Sequence, residues 1–278
     1  MKYLIIGDGY VGNYFARVLP DSKIFRYKIH DNAAIEKLLW EHPDHILINC
    51  AGKTGKPNVD WCEYNQEVTF RGNVETPVMI AETCRKMDRK WVHIGSGCVY
   101  TGYEKEWTED DAPNFFGSFY SRTKFWSQDI LKAYEQALVL RIRMPIDENL
   151  MARCYISKIV KYARDGKQIF DLPNSMTILC DLASALYRLT AKGLTGEFNV
   201  VNKDPLKISQ ILDLYKHHRD PGLGYDKTTY EEVRKTMVAD RSNCVLSGEK
   251  LEQAGIVMPS ALERVTGILR GEVLCPLK

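Results

Sequence analysis

The chain opens with an apolar run, Lys2–Ile6, that breaks into Gly7-Asp8-Gly9-Tyr10-Val11-Gly12 and continues as a helical segment over Asn13–Leu19. Few folds accommodate that order. Gly7 suits a tight turn, Gly9 lets a ligand approach the backbone, and Gly12 lets helix pack closely on strand. The amides of Tyr10 and Val11, at the start of the helix, then point at an anion. A strand–glycine turn–helix unit of this kind predicts a dinucleotide pyrophosphate site at the head of a parallel sheet.

The following residues supply such a sheet. Strands are expected at Ser22–Tyr27, His45–Cys50, Lys90–Gly95 and Ala137–Arg143, with helices at Ala33–Glu41, Gln66–Met87 and Ser118–Glu135 between them. That alternation predicts an α/β fold, a Rossmann-type doubly wound parallel sheet with helices on both faces. After Pro145 the rhythm loosens. Helices are expected at Tyr155–Arg164, Asp181–Lys192, Ile208–His218, Tyr230–Lys235 and Ser260–Gly271, and strands at Gln168–Leu172 and Gly196–Val201. Residues 1–145 are therefore read as an NADP-binding Rossmann domain and 146–278 as a smaller substrate-binding lobe packed on it. A chain of 278 residues, 45% of them apolar, is long enough for one large core of this kind.

Several function classes are excluded. The net charge is +2 and the basic residues are scattered, so no nucleic-acid surface is expected. No apolar stretch approaches the roughly 20 residues that span a bilayer. Met1 leads directly into the first strand, so no secretory signal is expected and a cytoplasmic location follows. The eight cysteines include no C-x-x-C pair and no metal-ligand spacing with histidine. Most are expected to be buried small apolar residues, and no metal is expected.

The cofactor type turns on the residues after the second strand. Arg26 and Lys28 suit a 2′-phosphate, which favours NADPH. Asp31 lies near the distance at which an acid would bind the ribose of NAD, but it immediately precedes the helix at Ala33–Glu41 and reads as its N-cap. Ala51 and Gly52, at the end of the third strand, are small enough for backbone to approach the cofactor. The loop beyond them, residues 53–63, carries Asn58, Asp60 and Trp61 at the carboxyl edge of the sheet, where substrate-contacting loops lie.

Two patterns specify chemistry. Tyr120 and Lys124 are four residues apart and share one helix face, so phenol and ammonium reach the same substrate atom. Ser96-Gly97-Cys98 ends the fourth strand. In this setting Lys124 holds the nicotinamide ribose and lowers the pKa of Tyr120, the phenol delivers a proton as hydride reaches a carbonyl carbon, and Ser96 binds the developing oxyanion. Cys98 adds a thiol that simple carbonyl reduction does not require.

At these residues the chain resembles the extended short-chain dehydrogenase/reductases. Within them it is most similar to the bifunctional UDP-4-keto-6-deoxy-glucose 3,5-epimerase/4-reductases of plants and giant viruses. The stretches that carry the resemblance are TGKPNVDWCE (54–63), GCVY (97–100), PNFFGSFYSRTK (113–124), LRIRMPI (140–146), PNSMT (173–177) and RSN (241–243), spread over most of the chain. The resemblance implies NADPH, a UDP-linked 4-keto-6-deoxy sugar as substrate and UDP-L-rhamnose as product. It also implies Cys98 as one epimerase acid/base and Lys158 as its partner on the opposite face of the ring, an ordinary surface lysine being the alternative. Substrate contacts are placed at Asn58, Trp61, Ser96, Gly97 and Cys98. Arg241 and Asn243 are placed on the diphosphate, with a structural ion pair as the other reading of the arginine; Asn174 and Met176 are placed on the uracil side. Cys244-Val245-Leu246 departs from the plant pattern, as does a shorter loop after Tyr100. Subunit number is left open, a homodimer being allowed for. Two further readings remain: a 4-reductase alone, like the dTDP-4-keto-rhamnose reductases, for which Cys98 has no use, and a non-catalytic regulatory subunit like that of methionine adenosyltransferase. An intact Ser96, Tyr120 and Lys124 argues against the second.

Overall fold

The computed structural model describes residues 1–26, 29, 31–273 and 275. Strand β1 (Lys2–Ile6) shows why the chain folds in layers. Its side chains alternate, Tyr3 and Ile5 entering one core and Leu4 and Ile6 another, so both faces of the sheet must be covered. Helix α1 (Tyr10–Val18) covers the first face with Tyr14, Phe15 and Val18. Helix α2 (Asn32–Glu41) covers the second with Ile35, Leu38 and Leu39. Asp31 caps α2 by accepting a hydrogen bond from the Ala34 amide at 2.8 Å.

Strands β2 (Ser22–Phe25), β3 (His45–Asn49), β4 (Trp91–Ser96), β6 (Ala137–Ile142) and β10 (Gly196–Asn199) complete a six-stranded sheet in the order β2-β1-β3-β4-β6-β10, every pair parallel. The order reverses between β1 and β3. Beyond the carboxyl ends of those strands lies the crevice in which such sheets bind ligands. Asn49, His93 and Ser96 all stand near that edge.

Between β3 and β4 the chain forms α3 (Asp60–Tyr64), α4 (Gln66–Phe70) and α5 (Thr76–Lys86). The expected single helix at Gln66–Met87 is thus interrupted by a π-helical turn, Arg71–Glu75. The reason is Asn73, buried at the turn: its amide donates to the Lys53 carbonyl and to Thr123 Oγ1, both at 3.0 Å, and accepts from the Lys53 amide at 2.7 Å. A π-turn of this kind, common beside functional sites, here fastens the loop after β3 to the helix that carries Tyr120.

The remaining elements are β5 (Gly102–Trp107), α6 (Phe119–Leu131), β7 (Pro145–Ile146), α7 (Tyr155–Arg164), β8 (Ile169–Phe170), β9 (Thr177–Ile178), α8 (Leu179–Ala191), α9 (Ile208–His218), β11 (Lys227–Thr228), α10 (Tyr230–Arg234), β12 (Cys244–Leu246), α11 (Glu249–Gln253) and α12 (Ala261–Arg270). Two-stranded pairs β7–β9, β8–β11 and β5–β12 lie outside the main sheet. The main sheet does not end at residue 145. Strand β10 pairs with β6, and one core joins Phe15 and Leu140 to Ile159, Leu182, Leu212 and Val265. The β6–β10 seam is closed by a buried ion pair, Arg141 to Glu197 at 2.7 Å, with Gln128 Oε1 accepting from Arg141 Nε at 2.9 Å. Among the described residues no helix is long and apolar enough to cross a membrane.

Candidate active site

The glycine turn has the shape that its residues predict. Gly7 has φ +99°, and a Cβ there would stand 2.4 Å from the Ala51 amide nitrogen, so only glycine lets the ends of β1 and β3 meet. A Cβ on Gly12 would stand 1.9 Å from the Gly7 carbonyl oxygen. A Cβ on Gly9 would meet nothing within 4 Å. Gly9 therefore faces open space at the head of α1, whose first turn holds no acidic residue and no side-chain cap. This cradle fits a pyrophosphate. Tyr10 and Val11 open the helix, and the Tyr10 hydroxyl donates to Asp147, tying the turn to the segment after β7. Arg26 is exposed at the end of β2, its guanidinium 3.5 Å from Asn13 Oδ1. Lys28 lies outside the described residues. Ala51 is half-buried, its amide donating to Asn49 Oδ1 at 3.0 Å, and Gly52 is exposed beside it.

Ser118 sets the Tyr120 phenol in place. Its hydroxyl caps α6 by accepting from the Ser121 amide at 3.0 Å, and Glu63 of α3 accepts from the Phe119 amide at 2.5 Å. Tyr120 is thereby fixed in the first turn and Lys124 one turn later, against β4. The Lys124 ammonium is buried and donates to the Ile94 carbonyl at 3.2 Å, with His93 Nε2 at 3.4 Å. His93 is linked in turn to Asn49 Nδ2 at 3.1 Å. Burial and the neighbouring Lys124 hold the His93 pKa well below its ordinary value, so the imidazole is neutral. Burial also pulls Lys124 down to about 8, the Cys98 thiol opposing.

Tyr120 corrects one expectation. Its phenol is pushed up, by burial first and by the adjacent Cys98, while a Ser96 hydrogen bond and Arg143 pull the other way without prevailing. Desolvation of the phenolate outweighs the cations. The site therefore keeps the proton on Tyr120, which is the state an acid needs.

Ser96 is buried at the end of β4, its Oγ accepting from the Cys98 amide at 3.1 Å. Cys98 is half-exposed, unlike the buried thiols of Cys62, Cys84, Cys154, Cys180, Cys244 and Cys275. Its Sγ lies 3.7 Å from Arg143 Nη1. Lys158, near the start of α7, is half-buried, its ammonium 5.7 Å from the centre of the Tyr162 ring. Burial, then Arg241 and Arg153, bring its pKa down to about 8, with Cys98 and Asp60 opposing.

The loop after β3 closes one side. Asn58 Oδ1 accepts from the Asp60 amide at 2.8 Å, and Trp61 is half-buried against Gly55. Arg241 forms an ion pair with Asp60 at 2.8 Å, which realises the structural alternative considered for it. Three assignments to substrate contact change. Met176 is fully buried in the core. The Asn174 amide is engaged by Arg143, Cys244 and Asn243, and the Asn243 amide by Asn174 and the Arg241 carbonyl. None of the three offers a free polar or apolar face, because each holds the strand-end loops together. Gly97 likewise packs inward: a Cβ there would stand 2.4 Å from Leu246 and 2.9 Å from the Arg143 stem. Sequence reasoning did not single out Arg143, His93, Asn49 or Asn73 as site residues. The run Leu140-Arg141-Ile142-Arg143 was the available signal, since two arginines at alternate positions of a buried strand end demand partners.

The family model described as the RmlD substrate binding domain matches residues 11–193. The chain is 38% identical over 218 residues to the bifunctional dTDP-4-dehydrorhamnose 3,5-epimerase/dTDP-4-dehydrorhamnose reductase of Arabidopsis thaliana, covering 76% of this chain and 71% of that protein. It is 34% identical over 267 residues, 91% of its length, to the Arabidopsis trifunctional UDP-glucose 4,6-dehydratase/UDP-4-keto-6-deoxy-D-glucose 3,5-epimerase/UDP-4-keto-L-rhamnose-reductase RHM2, of which it spans 39%. The crystal structure of the L780 UDP-rhamnose synthase from Acanthamoeba polyphaga mimivirus superposes with a TM-score of 0.90 at 29% identity, covering 98% of this chain and 99% of that one. The chain belongs to the RmlD substrate-binding domain family.

Proposed function

We propose that this member of the RmlD family is an NADPH-dependent 4-keto-sugar reductase that first inverts its substrate at carbons 3 and 5, converting UDP-4-keto-6-deoxy-D-glucose to UDP-L-rhamnose. The observation that carries the reading is Cys98: a half-exposed thiol at the strand end, between Ser96 and Arg143, with the half-buried Lys158 of α7 within its electrostatic reach. A reductase acting on an already inverted sugar has no use for that pair. The names of the plant and viral relatives support the same substrate class.

The 4-keto group acidifies the hydrogens on its neighbouring carbons. Cys98, as thiolate, takes the proton from ring carbon; the electron pair of that bond moves onto the C4 oxygen, where Ser96 and the Tyr120 hydroxyl receive it. The Lys158 ammonium returns a proton from the other face. Cys98 has then gained one proton and Lys158 has lost one, and exchange with solvent resets both. When bound, the reduced nicotinamide supplies hydride to carbon 4. Tyr120 gives its proton to the C4 oxygen, and Lys124 sits beneath the phenol to bind the cofactor ribose. Gly7, Gly9 and Gly12 with the amides of Tyr10 and Val11 hold the pyrophosphate, and Arg26 the 2′-phosphate. Residues beyond Pro145 serve the substrate, Lys158 foremost. The test is direct: purified protein with NADPH and the 4-keto sugar should oxidise NADPH and yield UDP-rhamnose, whereas no NADPH consumption would remove the reading.

Two outcomes follow from the geometry. Because a Cβ at Gly9 meets no atom within 4 Å, Gly9→Val should leave the melting temperature within about 2 °C of the parent, a shift worth about 1 kcal/mol at most. NADPH affinity, read by fluorescence titration, should nevertheless fall by at least about tenfold, roughly 1.4 kcal/mol. Lys158 gives the sign of a pH dependence. With its pKa at about 8, it holds the proton it must donate below that pH and loses it above. Solvent deuterium uptake at carbons 3 and 5, measured with NADP in place of NADPH, should therefore decline by about tenfold per pH unit on the alkaline side. Uptake still rising beyond about pH 9 would count against Lys158 as the acid.

A further inference from the structure

Arg143 immediately follows β6 and is 1% exposed. Its Nη1 donates to the Gly97 carbonyl at 3.1 Å, to Ser242 Oγ at 2.7 Å and toward Cys98 Sγ at 3.7 Å. Its Nη2 donates to the Ser242 carbonyl at 3.0 Å and to Asn174 Oδ1. Its Nε is buried with no partner at all. Every oxygen it meets is neutral. No carboxylate pairs with it among the described residues, whereas Arg141, two positions earlier, has Glu197 at 2.7 Å.

A buried cation without an anion is costly, because its lost hydration is not replaced by an opposite charge. The groups near Arg143 that can become negative are Cys98, Cys244, Tyr103, Tyr120 and Tyr155. Cys244 is fully buried and its thiol is pushed up; the three phenols are pushed up as well. Cys98 is half-exposed and in direct contact, so it can take the charge at least cost. The other titratable groups around that thiol are Tyr120 and Lys124 of α6, Lys158 of α7 and Cys244 of β12. Three of the neighbouring groups, Arg143, Lys124 and Lys158, are cations. Gly97 fits the same arrangement, since any side chain there would displace the Arg143 stem.

We infer that Arg143 is the positioning residue of the epimerase half-site, a fixed buried counter-charge in contact with the Cys98 sulfur that orients it toward the substrate and faces the charge it bears when it acts as a base. This rests on the reading of Cys98 as a base, and it adds the residue that makes the thiol one.

The test reads the thiol rather than turnover. In the full chain, alkylation of Cys98 by iodoacetamide is followed against pH through the mass of its peptide. The variants are Arg143→Met, Arg143→Lys and Asn174→Asp, with NADPH binding as the check of folding. Arg143→Met should move the midpoint up by about one pH unit or more, slowing reaction at pH 7 by about tenfold. Arg143→Lys should restore most of the shift. Asn174→Asp leaves the arginine in place but gives it a carboxylate, and should raise the midpoint in the same direction; it keeps the test decisive if Arg143→Met fails to fold. Identical profiles in the parent and in Asn174→Asp or Arg143→Met would overturn the inference. If the shifts occur but no deuterium enters carbons 3 and 5 during turnover, Arg143 still governs the thiol and the epimerase reading alone falls. If label enters while the profiles do not move, the converse holds.

Discussion

Cys98→Ala should lower the rate of inversion at carbons 3 and 5 by about a thousandfold, some 4 kcal/mol of barrier, while NADPH affinity stays within about twofold. The size follows from the role. A proton bound to carbon leaves slowly unless a base stands at van der Waals distance, and the other groups assigned to the substrate do not serve: Ser96 and Tyr120 hold their protons, and Lys158 acts as the acid. The cofactor site should be unaffected, because Cys98 is half-exposed and lies outside the glycine turn, although losing the sulfur beside Arg143 should lower the melting temperature. The same variant, given the already inverted UDP-4-keto-L-rhamnose, should still consume NADPH. A Cys98→Ala protein that no longer binds NADPH would show the thiol to be a packing residue of the strand end.

Tyr120→Phe should produce the complementary defect. Loss of the phenolic proton should slow reduction by roughly 10²–10⁴-fold, the range for a positioned general acid. Burial and Cys98 hold that proton in place, so no neighbouring group substitutes for it easily: Ser96 is engaged by the Cys98 amide and Lys124 by Ile94 and His93. Deuterium uptake into the 4-keto sugar should survive at a measurable rate, since Ser96 still meets the enolate oxygen. Rapid quench with NMR of the recovered sugar separates the two steps. Equal loss of uptake and reduction would mean that the phenol, not Ser96, carries most of the enolate charge.

The sheet and its glycine turn were legible because parallel strands buried on both faces must be apolar throughout, and because Gly7 and Gly12 sit where no Cβ fits. What escaped reading depends on distant partners. Strand β5 is charged and largely exposed, and pairs only through β12, more than a hundred residues on. The break in the helix at Gln66–Met87 answers to Asn73, whose partners Lys53 and Thr123 are far apart in the chain. Strand β10 joins the main sheet across the division drawn at residue 145, because Arg141 and Glu197 pair across the seam. In the site, the strand-end and helix residues Ser96, Cys98, Tyr120 and Lys124 came together as their spacing implied; Lys158, which the resemblance rather than spacing pointed to, stands half-buried on α7. Side chains such as Asn174, Asn243 and Met176 were misjudged: a polar or flexible residue in a loop reads as a ligand contact until its burial partners are known.

The central claim is that one site inverts and then reduces. The protein should be incubated with NADPH and UDP-4-keto-6-deoxy-D-glucose in heavy water and the product examined by NMR. The account predicts UDP-L-rhamnose with deuterium at carbons 3 and 5 and with the hydride of NADPH at carbon 4. A reduced sugar carrying no deuterium on the ring would contradict it and leave a reductase alone.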